Sequence, residues 1–259
     1  MDDPANNDWQ AIARTDYIRQ RLAPSWADPF YLHLSDLRLA LEPYAGDEAL
    51  CLLDFGCGGS PYRPLFPHAD YRRADFAASS GLDYIITEDS KVTEDPATFD
   101  IVLSTQVLEH AASPEVYLAE CCRLLKPGGR LICTTHGTYE DHGCPDDYHR
   151  WTAQGLERAM ERAGFSVQQL MKLTTGPRAL LYLLEQQGLA LRTKTEGDFA
   201  SAISDTLSLL SAQRAEFHQW CDTEFAGHRV VDSSAKDHVF YIALLAEGTK
   251  EQTQPDGAS

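Results

Sequence analysis

Residues that could carry chemistry are concentrated between positions 135 and 151, where three histidines, one cysteine and four acidic residues occur. A neutral imidazole near pH 7 can take the proton from a hydroxyl or an amine. The candidate catalytic or substrate-binding residues are therefore His136, His142, Tyr148 and His149. The same residue types can ligate metals, but the stretch has neither His-x3-His nor Cys-x2-Cys spacing, so no metal site is predicted.

A glycine-rich turn forms the second candidate site. The apolar run over 50–53 ends in Asp54, and three glycines follow within four residues, at Gly56, Gly58 and Gly59. Glycine allows positive φ and lets a ligand approach the main chain closely. Ser60 would cap a helix that begins at Pro61. The pattern predicts a nucleotide-binding loop at the carboxyl end of the first strand of an open α/β sheet.

Two positions of this loop distinguish between nucleotide ligands. The dinucleotide fingerprint Gly-x-Gly-x-x-Gly/Ala needs a small residue at its last position, which Pro61 occupies here. The pattern apolar-apolar-Asp-x-Gly-x-Gly instead resembles motif I of class I S-adenosylmethionine-dependent methyltransferases, with Ser60 where a further glycine is common. The resemblance implies contacts with the methionine part of the cofactor from Asp54, Gly56, Cys57 and Gly58.

The second predicted strand, over 70–76, ends at another candidate cofactor residue. Asp75 lies 19 residues past Gly56, about where Rossmann-like folds place a carboxylate on the ribose hydroxyls. A carboxylate suits this position because its two oxygens can accept both hydroxyl protons. Phe76, next to it, is included in the predicted site.

A third predicted strand, over 82–86, leads into an acidic turn. In the methyltransferases that this chain resembles, an acid after this strand often accepts a hydrogen bond from the adenine amino group. The resemblance therefore implies that role for Glu88 or Asp89, and the sequence does not choose between them.

The fourth predicted strand, over 99–104, continues into Thr-Gln-Val-Leu-Glu-His. Phe-Asp-x-Val followed by Val-Leu-Glu-His resembles a large small-molecule subgroup of the same family, and Leu-Lys-Pro-Gly-Gly-x-Leu at 125–131 is a further, structural match. Residues just past this strand face the crevice at the carboxyl edge of the sheet. Cofactor contacts are therefore predicted for Ser104, Thr105 and Gln106.

Composition limits the class of protein. The net charge of −17 over 259 residues argues against binding to nucleic acid or to anionic membranes. Seven cysteines with no Cys-x-x-Cys indicate a reduced, cytoplasmic chain. No apolar run approaches the roughly 18 residues of a membrane span, and the acidic start is not typical of a secretory signal.

The predicted fold is a doubly wound, Rossmann-like α/β sheet of seven strands whose last strand is antiparallel. A helical cap covers 1–45, and the methyltransferase domain covers 46–175 and 237–247. Helical leucine spacing predicts a two-helix insertion over 176–236, acting as a lid over the acceptor or as a dimer surface. Residues 248–259 are expected to form a disordered polar tail.

The predicted function is transfer of a methyl group from S-adenosylmethionine to an O or N atom of a small-molecule acceptor. The alternative is a methyltransferase-like protein that binds this cofactor but catalyses another reaction or binds a partner, since one fold supports many functions. A nicotinamide-dependent dehydrogenase is disfavoured by Pro61. A homodimer is possible.

Overall fold

The computed structural model describes residues 15–46, 48–76, 81–143, 146–191, 198–234 and 239–251. The strands are β1 (Cys51–Phe55), β2 (Asp70–Asp75), β3 (Tyr84–Ile85), β4 (Phe99–Thr105), β5 (Leu125–His136), β6 (Phe165–Thr175), β7 (Val230–Asp232) and β8 (Tyr241–Lys250). The helices are α1 (residues 15–22), α2 (Tyr31–Leu41), α3 (Pro114–Leu124), α4 (Ala153–Arg162), α5 (Gly176–Leu191), α6 (Asp198–Ala212) and α7 (Arg214–Glu224).

All eight strands join one mixed sheet in the order β3-β2-β1-β4-β5-β8-β6-β7. The predicted α/β class is confirmed, and the last strand, β8, runs antiparallel between β5 and β6 as expected. The sheet has eight strands rather than seven because β7 pairs with the edge of β6, Met171 opposite Asp232. This three-residue strand lies inside the predicted helical insertion and is too short to show an alternating pattern.

The sheet is buried on both faces, which explains why its central strands are short apolar runs. Leu118 of α3 and Leu156 of α4 cover one face, and Leu37 and Leu41 of α2 cover the other. Thr152 caps the N-terminus of α4, because its hydroxyl accepts from the amide of Gly155. These helices hold the carboxyl edge of β1, β2, β4 and β5 in place.

The predicted helix after the glycine loop is absent. Ser60 has a positive φ of 53°, and its hydroxyl accepts from Arg73 Nε at 2.8 Å instead of capping a helix. The chain turns through a short 3-10 segment, Arg63–Leu65, before entering β2. Ser-Pro is typical of a helix start, but the arginine of the neighbouring strand occupies the capping oxygen.

Two other boundaries differ from the sequence prediction. Strand β8 continues through Lys250, because Gly248 and Thr249 pair with both β5 and β6, so 248–250 are not a tail. The predicted second helix of the insertion is broken at Gln213, whose backbone leaves the helical region at φ −113° and ψ 36°. Residues 1–14 of the predicted cap and 252–259 of the predicted tail lie outside the described residues.

The insertion packs on α2 rather than standing apart from the domain. Side chains of α2, α5 and α7 share one apolar cluster that includes Leu32, Ala179, Tyr182 and Cys221. A hydrogen-bonded ion cluster also joins these three helices. We call these three helices the cap layer. Within the described residues, no helix is both long and apolar enough to cross a membrane.

The ion cluster is centred on the fully buried Asp36. Its two carboxylate oxygens accept from Arg178 at 2.7 and 3.0 Å, and Oδ1 also accepts from Arg229 Nε at 2.7 Å. Arg178 Nη1 in turn lies 2.9 Å from Asp222 Oδ1 on α7. Arg178 has no exposed surface, so the cluster joins α2 to the insertion without help from solvent.

Replacing Asp36 with alanine is predicted to destabilise the protein strongly, because two guanidinium groups would lose a buried anionic partner. We expect a loss of about 3 kcal/mol or more in the free energy of unfolding, measured by urea denaturation. The control Asp70→Ala removes an exposed carboxylate that pairs with Arg72, and its cost should stay below about 1 kcal/mol. Similar costs for the two variants would contradict the assigned role of the cluster.

Candidate active site

The glycine loop is held against β2 and against the segment after β4. The amides of Gly56 and Cys57 both donate to the Ala74 carbonyl at 2.9 Å. Gly56 has a φ of +82°, and a Cβ atom there would lie 2.6 Å from both methyl groups of Val107. Position 56 therefore needs glycine for its backbone conformation and for the space above it.

Asp75 lies at the rim of this loop, half-buried. One of its carboxylate oxygens accepts from the amide of Gly58 at 2.7 Å, and the other accepts from the amide of Phe76 at 2.7 Å. The structure thus brings the predicted ribose acid into contact with the glycine loop. Phe76 is 40% exposed beside it.

Asp54 and Cys57, two other predicted cofactor residues, are buried beneath the loop. Asp54 Oδ2 accepts from the Tyr71 hydroxyl at 2.6 Å. Burial raises the pKa of the Asp54 carboxyl to about 6 and the pKa of the Cys57 thiol to about 12. In this arrangement Asp54 supports the loop from below.

The predicted adenine acids lie in the exposed turn after β3, two strands away from β1 in the sheet. Asp89 accepts from the Thr87 hydroxyl at 2.6 Å and forms an ion pair with Lys91 at 2.9 Å. The first of these contacts contributes most to lowering the pKa of Asp89. Glu88 is exposed next to it.

The side chains of Ser104, Thr105 and Gln106, at and just after the end of β4, lie in different surroundings. The Ser104 hydroxyl is buried and hydrogen-bonded to the Tyr117 hydroxyl at 2.8 Å, which places it in the core. Thr105 is half-buried. Gln106 has a positive φ of 57°, and its Oε1 lies 3.3 Å from Nε2 of His33, a residue of α2. Of the three, Gln106 forms part of the cleft wall.

A cluster of ionisable groups lies behind Gln106. Glu109, whose side chain is fully buried, accepts from the Thr135 hydroxyl at 2.8 Å. Its other oxygen, Oε1, lies 2.8 Å from Nδ1 of His136 at the end of β5. His142 completes the group: one ligand-type atom from each of the three residues lies within 4.8 Å of the others. We call Glu109, His136 and His142 the Glu109 cluster.

Aromatic rings surround this cluster. The His136 ring stacks on Tyr139 with 3.9 Å between centroids, and the His142 ring meets it edge-on at 5.0 Å. His33 lies 5.9 Å from His136. Burial lowers the pKa of His33 to about 3, and burial is also the main cause that lowers the pKa of His142. The His33 imidazole is therefore neutral at pH 7.

The structure separates the four predicted catalytic residues into two pairs. His136 and His142 belong to the Glu109 cluster, whereas Tyr148 is 52% exposed and the ring of His149 lies between Tyr148 and Trp151. The last two act through the main chain, because the amides of Tyr148 and His149 both donate to the Glu109 carbonyl. They hold the loop over the cluster.

The loop after β5 is also fixed by an arginine. Both terminal nitrogens of Arg150 donate to the Asp147 carboxylate, at 2.7 and 2.6 Å, and Arg150 also donates to the carbonyls of Tyr139 and Glu140. These hydrogen bonds hold the pKa of Asp147 well below its usual range. Asp147 Oδ2 in turn accepts from the His142 amide at 2.8 Å.

A cavity of about 450 Å³ opens between the N-terminal helices and the ends of β4 and β5. Its walls combine aromatic rings, polar groups, one cation and one anion, with contributions from Tyr17, Arg21, Phe30, His33, Gln106, Tyr139 and Asp16. Tyr17 also covers the glycine loop, since a Cβ atom on Gly59 would lie 3.2 Å from its ring. The insertion reaches this wall through Tyr182, whose hydroxyl donates to that of Tyr139 at 3.2 Å.

Sequence reasoning did not select Glu109, His33 or Tyr139 as site residues. In the sequence, Glu109 is marked only as part of the Val-Leu-Glu-His pattern. An acidic residue just after the fourth strand could nevertheless have indicated a site residue. His33 lies on a helix that is far from the cleft in sequence, and no local pattern marks it.

Comparison with known proteins identifies the family. A family model described as a methyltransferase domain matches residues 26–170, more than half of the chain. The chain belongs to this family. The predicted class I S-adenosylmethionine-dependent methyltransferase family, and the cofactor that goes with it, are thereby confirmed at the level of the family.

Individual relatives agree with this assignment. The chain is 36% identical over 137 residues to a ubiquinone biosynthesis O-methyltransferase of Cereibacter sphaeroides, covering 47% of this chain and 51% of that protein. The protein of the same name from Maricaulis maris is 36% identical over 104 residues, or 34% of this chain and 41% of the relative. The chain thus spans about half the length of these curated relatives.

The fold of the methyltransferase domain also matches a solved structure. Phosphoethanolamine N-methyltransferase 2 of Haemonchus contortus, in complex with S-adenosyl-L-methionine, superposes with a TM-score of 0.51 at 16% identity. The match covers 94% of this chain and 57% of that one. At this identity the likeness concerns the fold alone.

Ionisation of Asp54 is predicted to lower the stability of the domain above about pH 6. Because burial raises its pKa, the native state binds a proton between about pH 6 and pH 4 that the unfolded chain does not bind. The resulting penalty is present above that range and disappears as the pH falls through it. It amounts to about 1.4 kcal/mol for each unit of pKa shift.

Asp54→Asn keeps an oxygen that can accept from Tyr71 and removes this titration. Its stability relative to the wild type should therefore rise as the pH increases from about 4 to about 7, measured by urea unfolding at a series of pH values. A difference between the two proteins that stays constant with pH would contradict this account.

Proposed function

We propose that this protein transfers a methyl group from S-adenosylmethionine to a hydroxyl oxygen of a small-molecule acceptor. One observation carries the proposal: the 450 Å³ cavity opens at Gln106, next to the glycine loop and the carboxyl ends of β1 and β4. Family membership supports methyl transfer. The choice of oxygen over nitrogen follows the relatives named O-methyltransferases in Cereibacter sphaeroides and Maricaulis maris.

The residues of the loop fit this cofactor. A Cβ atom on Gly56 would collide with Val107 and force the loop to shift, and the Asp75 carboxylate stands at the rim, bonded to the Gly58 amide. In the proposal, the main chain at Gly56 and Gly58 lies against the methionine part, and Asp75 accepts from the ribose hydroxyls. Asp54 acts from below by supporting the loop through Tyr71.

The remaining predicted cofactor residues are each assigned one part of the site in this proposal. Gln106 lies between the loop and the cavity, next to the position of the sulfonium. Adenine binding falls to the turn after β3, and Glu88 is favoured over Asp89 because Asp89 already pairs with Lys91 and Thr87. Ser104 supports the site from the core through Tyr117.

The acceptor binds in the cavity in this proposal. Phe30 and Tyr139 offer aromatic surface for an apolar or aromatic body, while Arg21 supplies a positive charge at the opening. The Glu109 cluster stands behind Tyr139 and His33, where an acceptor hydroxyl would lose its proton. The contact from Tyr182 to Tyr139 favours the insertion as a lid over the acceptor.

Little covalent chemistry is required of the protein. The cofactor supplies a methyl group that its sulfonium charge already activates for displacement. The chain must hold the hydroxyl in line with that methyl group and accept one proton, and alignment of this kind can lower a barrier by several kcal/mol, roughly 7–11 in the best cases. This explains why cofactor residues are more evident in the sequence than acceptor residues.

Gly56→Ala is predicted to weaken cofactor binding and methyl transfer together, because its methyl group would collide with Val107 and its backbone has positive φ. Calorimetric titration with S-adenosylmethionine should show a Kd raised at least tenfold, about 1.4 kcal/mol. Gly46→Ala is the matched control, since a Cβ atom there meets nothing within 4 Å. Circular dichroism of both variants would establish that each is folded.

Methyl transfer itself is measured as S-adenosylhomocysteine release with a panel of hydroxylated aromatic compounds and the corresponding amines. The proposal predicts turnover on hydroxyl compounds, equal in the wild type and Gly46→Ala. Tight cofactor binding with no turnover on any member would favour a cofactor-binding protein with another role. Turnover confined to the amines would overturn the assignment to oxygen.

A further inference from the structure

We propose that the Glu109 cluster binds one divalent first-row transition-metal ion, of which Zn²⁺ is the best fit. Glu109 follows β4, His136 ends β5, and His142 comes from the loop after β5. One ligand-type atom of each residue lies within 4.8 Å of the other two. These three side chains come from separate segments of the chain. The short spacings His-x3-His and Cys-x2-Cys, whose absence argued against a metal in the sequence, are therefore not required of them.

The strongest support is a set of buried atoms that lack hydrogen-bond partners. Glu109 Oε1 and both ring nitrogens of His136 are buried without a hydrogen bond, although Oε1 and Nδ1 lie only 2.8 Å apart. The two atoms are close but are not aligned as donor and acceptor. Unsatisfied buried polar groups destabilise the folded state, and such groups are rare in native proteins.

The buried negative charge of Glu109 also favours a bound cation. The Glu109 side chain has no exposed surface, and its polar partners include the Thr135 hydroxyl, the His136 ring and its own main chain. A carboxylate removed from water needs a positive partner or several hydrogen bonds. A cation held by Glu109 and His136 would supply that charge and would use the unpartnered atoms.

The third ligand is oriented for the same purpose. Nδ1 of His142 lies 3.3 Å from the Glu140 carbonyl and 3.4 Å from Asp147 Oδ2. These oxygens can accept a hydrogen bond from Nδ1–H, which leaves Nε2 as the nitrogen with a lone pair. A second group of this kind behind a histidine is typical of metal sites, as is the Thr135 hydroxyl behind Glu109.

The ligand types select the class of metal. Two imidazoles and one carboxylate suit Zn²⁺ and similar ions, whereas Mg²⁺ and Ca²⁺ prefer oxygen ligands throughout. Three protein ligands leave a coordination position open, as in catalytic zinc sites. In a role that rests on the proposed function, the open position would take the acceptor hydroxyl and lower its pKa.

Metal binding can be tested independently of methyl transfer. The chelator-treated, full-length protein is titrated with Co²⁺, followed by its visible d–d absorption, and Zn²⁺ affinity is measured by competition with a chromophoric chelator. We expect one site per chain. Glu109→Gln, His136→Ala and His142→Ala should each weaken binding at least tenfold, whereas Mg²⁺ should not compete.

His149→Ala is the matched control, since it removes an imidazole of the same loop that lies outside the cluster, and it should bind Co²⁺ as the wild type does. The absence of a one-to-one Co²⁺ complex, or affinity unchanged in all three cluster variants, would overturn the proposal. Titration of the chelator-treated protein with S-adenosylmethionine separates this result from the proposed function, because cofactor binding should persist without the metal. Circular dichroism identifies any variant that fails to fold.

Discussion

The buried carboxylate of Glu109 is the interaction on which the cleft depends. Its side chain joins the segment after β4 to the end of β5 through Thr135 and His136. Its main-chain carbonyl accepts from two successive amides of the following loop, at Tyr148 and His149. One residue therefore joins the segment after β4, the end of β5 with His136, and the loop above them.

The cap layer gives this edge of the sheet its outer wall. Asp36 and Arg178 connect α2 to the insertion inside the core, while α2 also supplies His33 to the cavity and Tyr182 of α5 touches Tyr139. The N-terminal cap and the insertion, which are separate in sequence, thus both contribute to one wall of the cavity. A substitution in α2 or in the insertion is therefore expected to alter the cavity more than it alters the glycine loop.

Sequence located the glycine loop and Asp75 more readily than the Glu109 cluster, for a physical reason. Gly56 and Asp75 are required by local backbone conformation and by the end of one strand, and these leave a signature over a few residues. The Glu109 cluster forms only when β4 and β5 pair, so its members are not neighbours in sequence. At Ser60 the opposite occurs. The Ser-Pro pair predicts the start of a helix, but the Ser60 hydroxyl accepts from Arg73 of the adjacent strand and does not cap one.

The central claim is that cofactor and acceptor meet between the glycine loop and the Glu109 cluster. A crystal structure of the complex with S-adenosylhomocysteine tests it most directly. The account predicts the sulfur atom next to Gln106, the ribose hydroxyls on Asp75, and the cavity open towards the sulfur. A product molecule bound with its sulfur turned away from Gln106, or without any contact to Asp75, would contradict it.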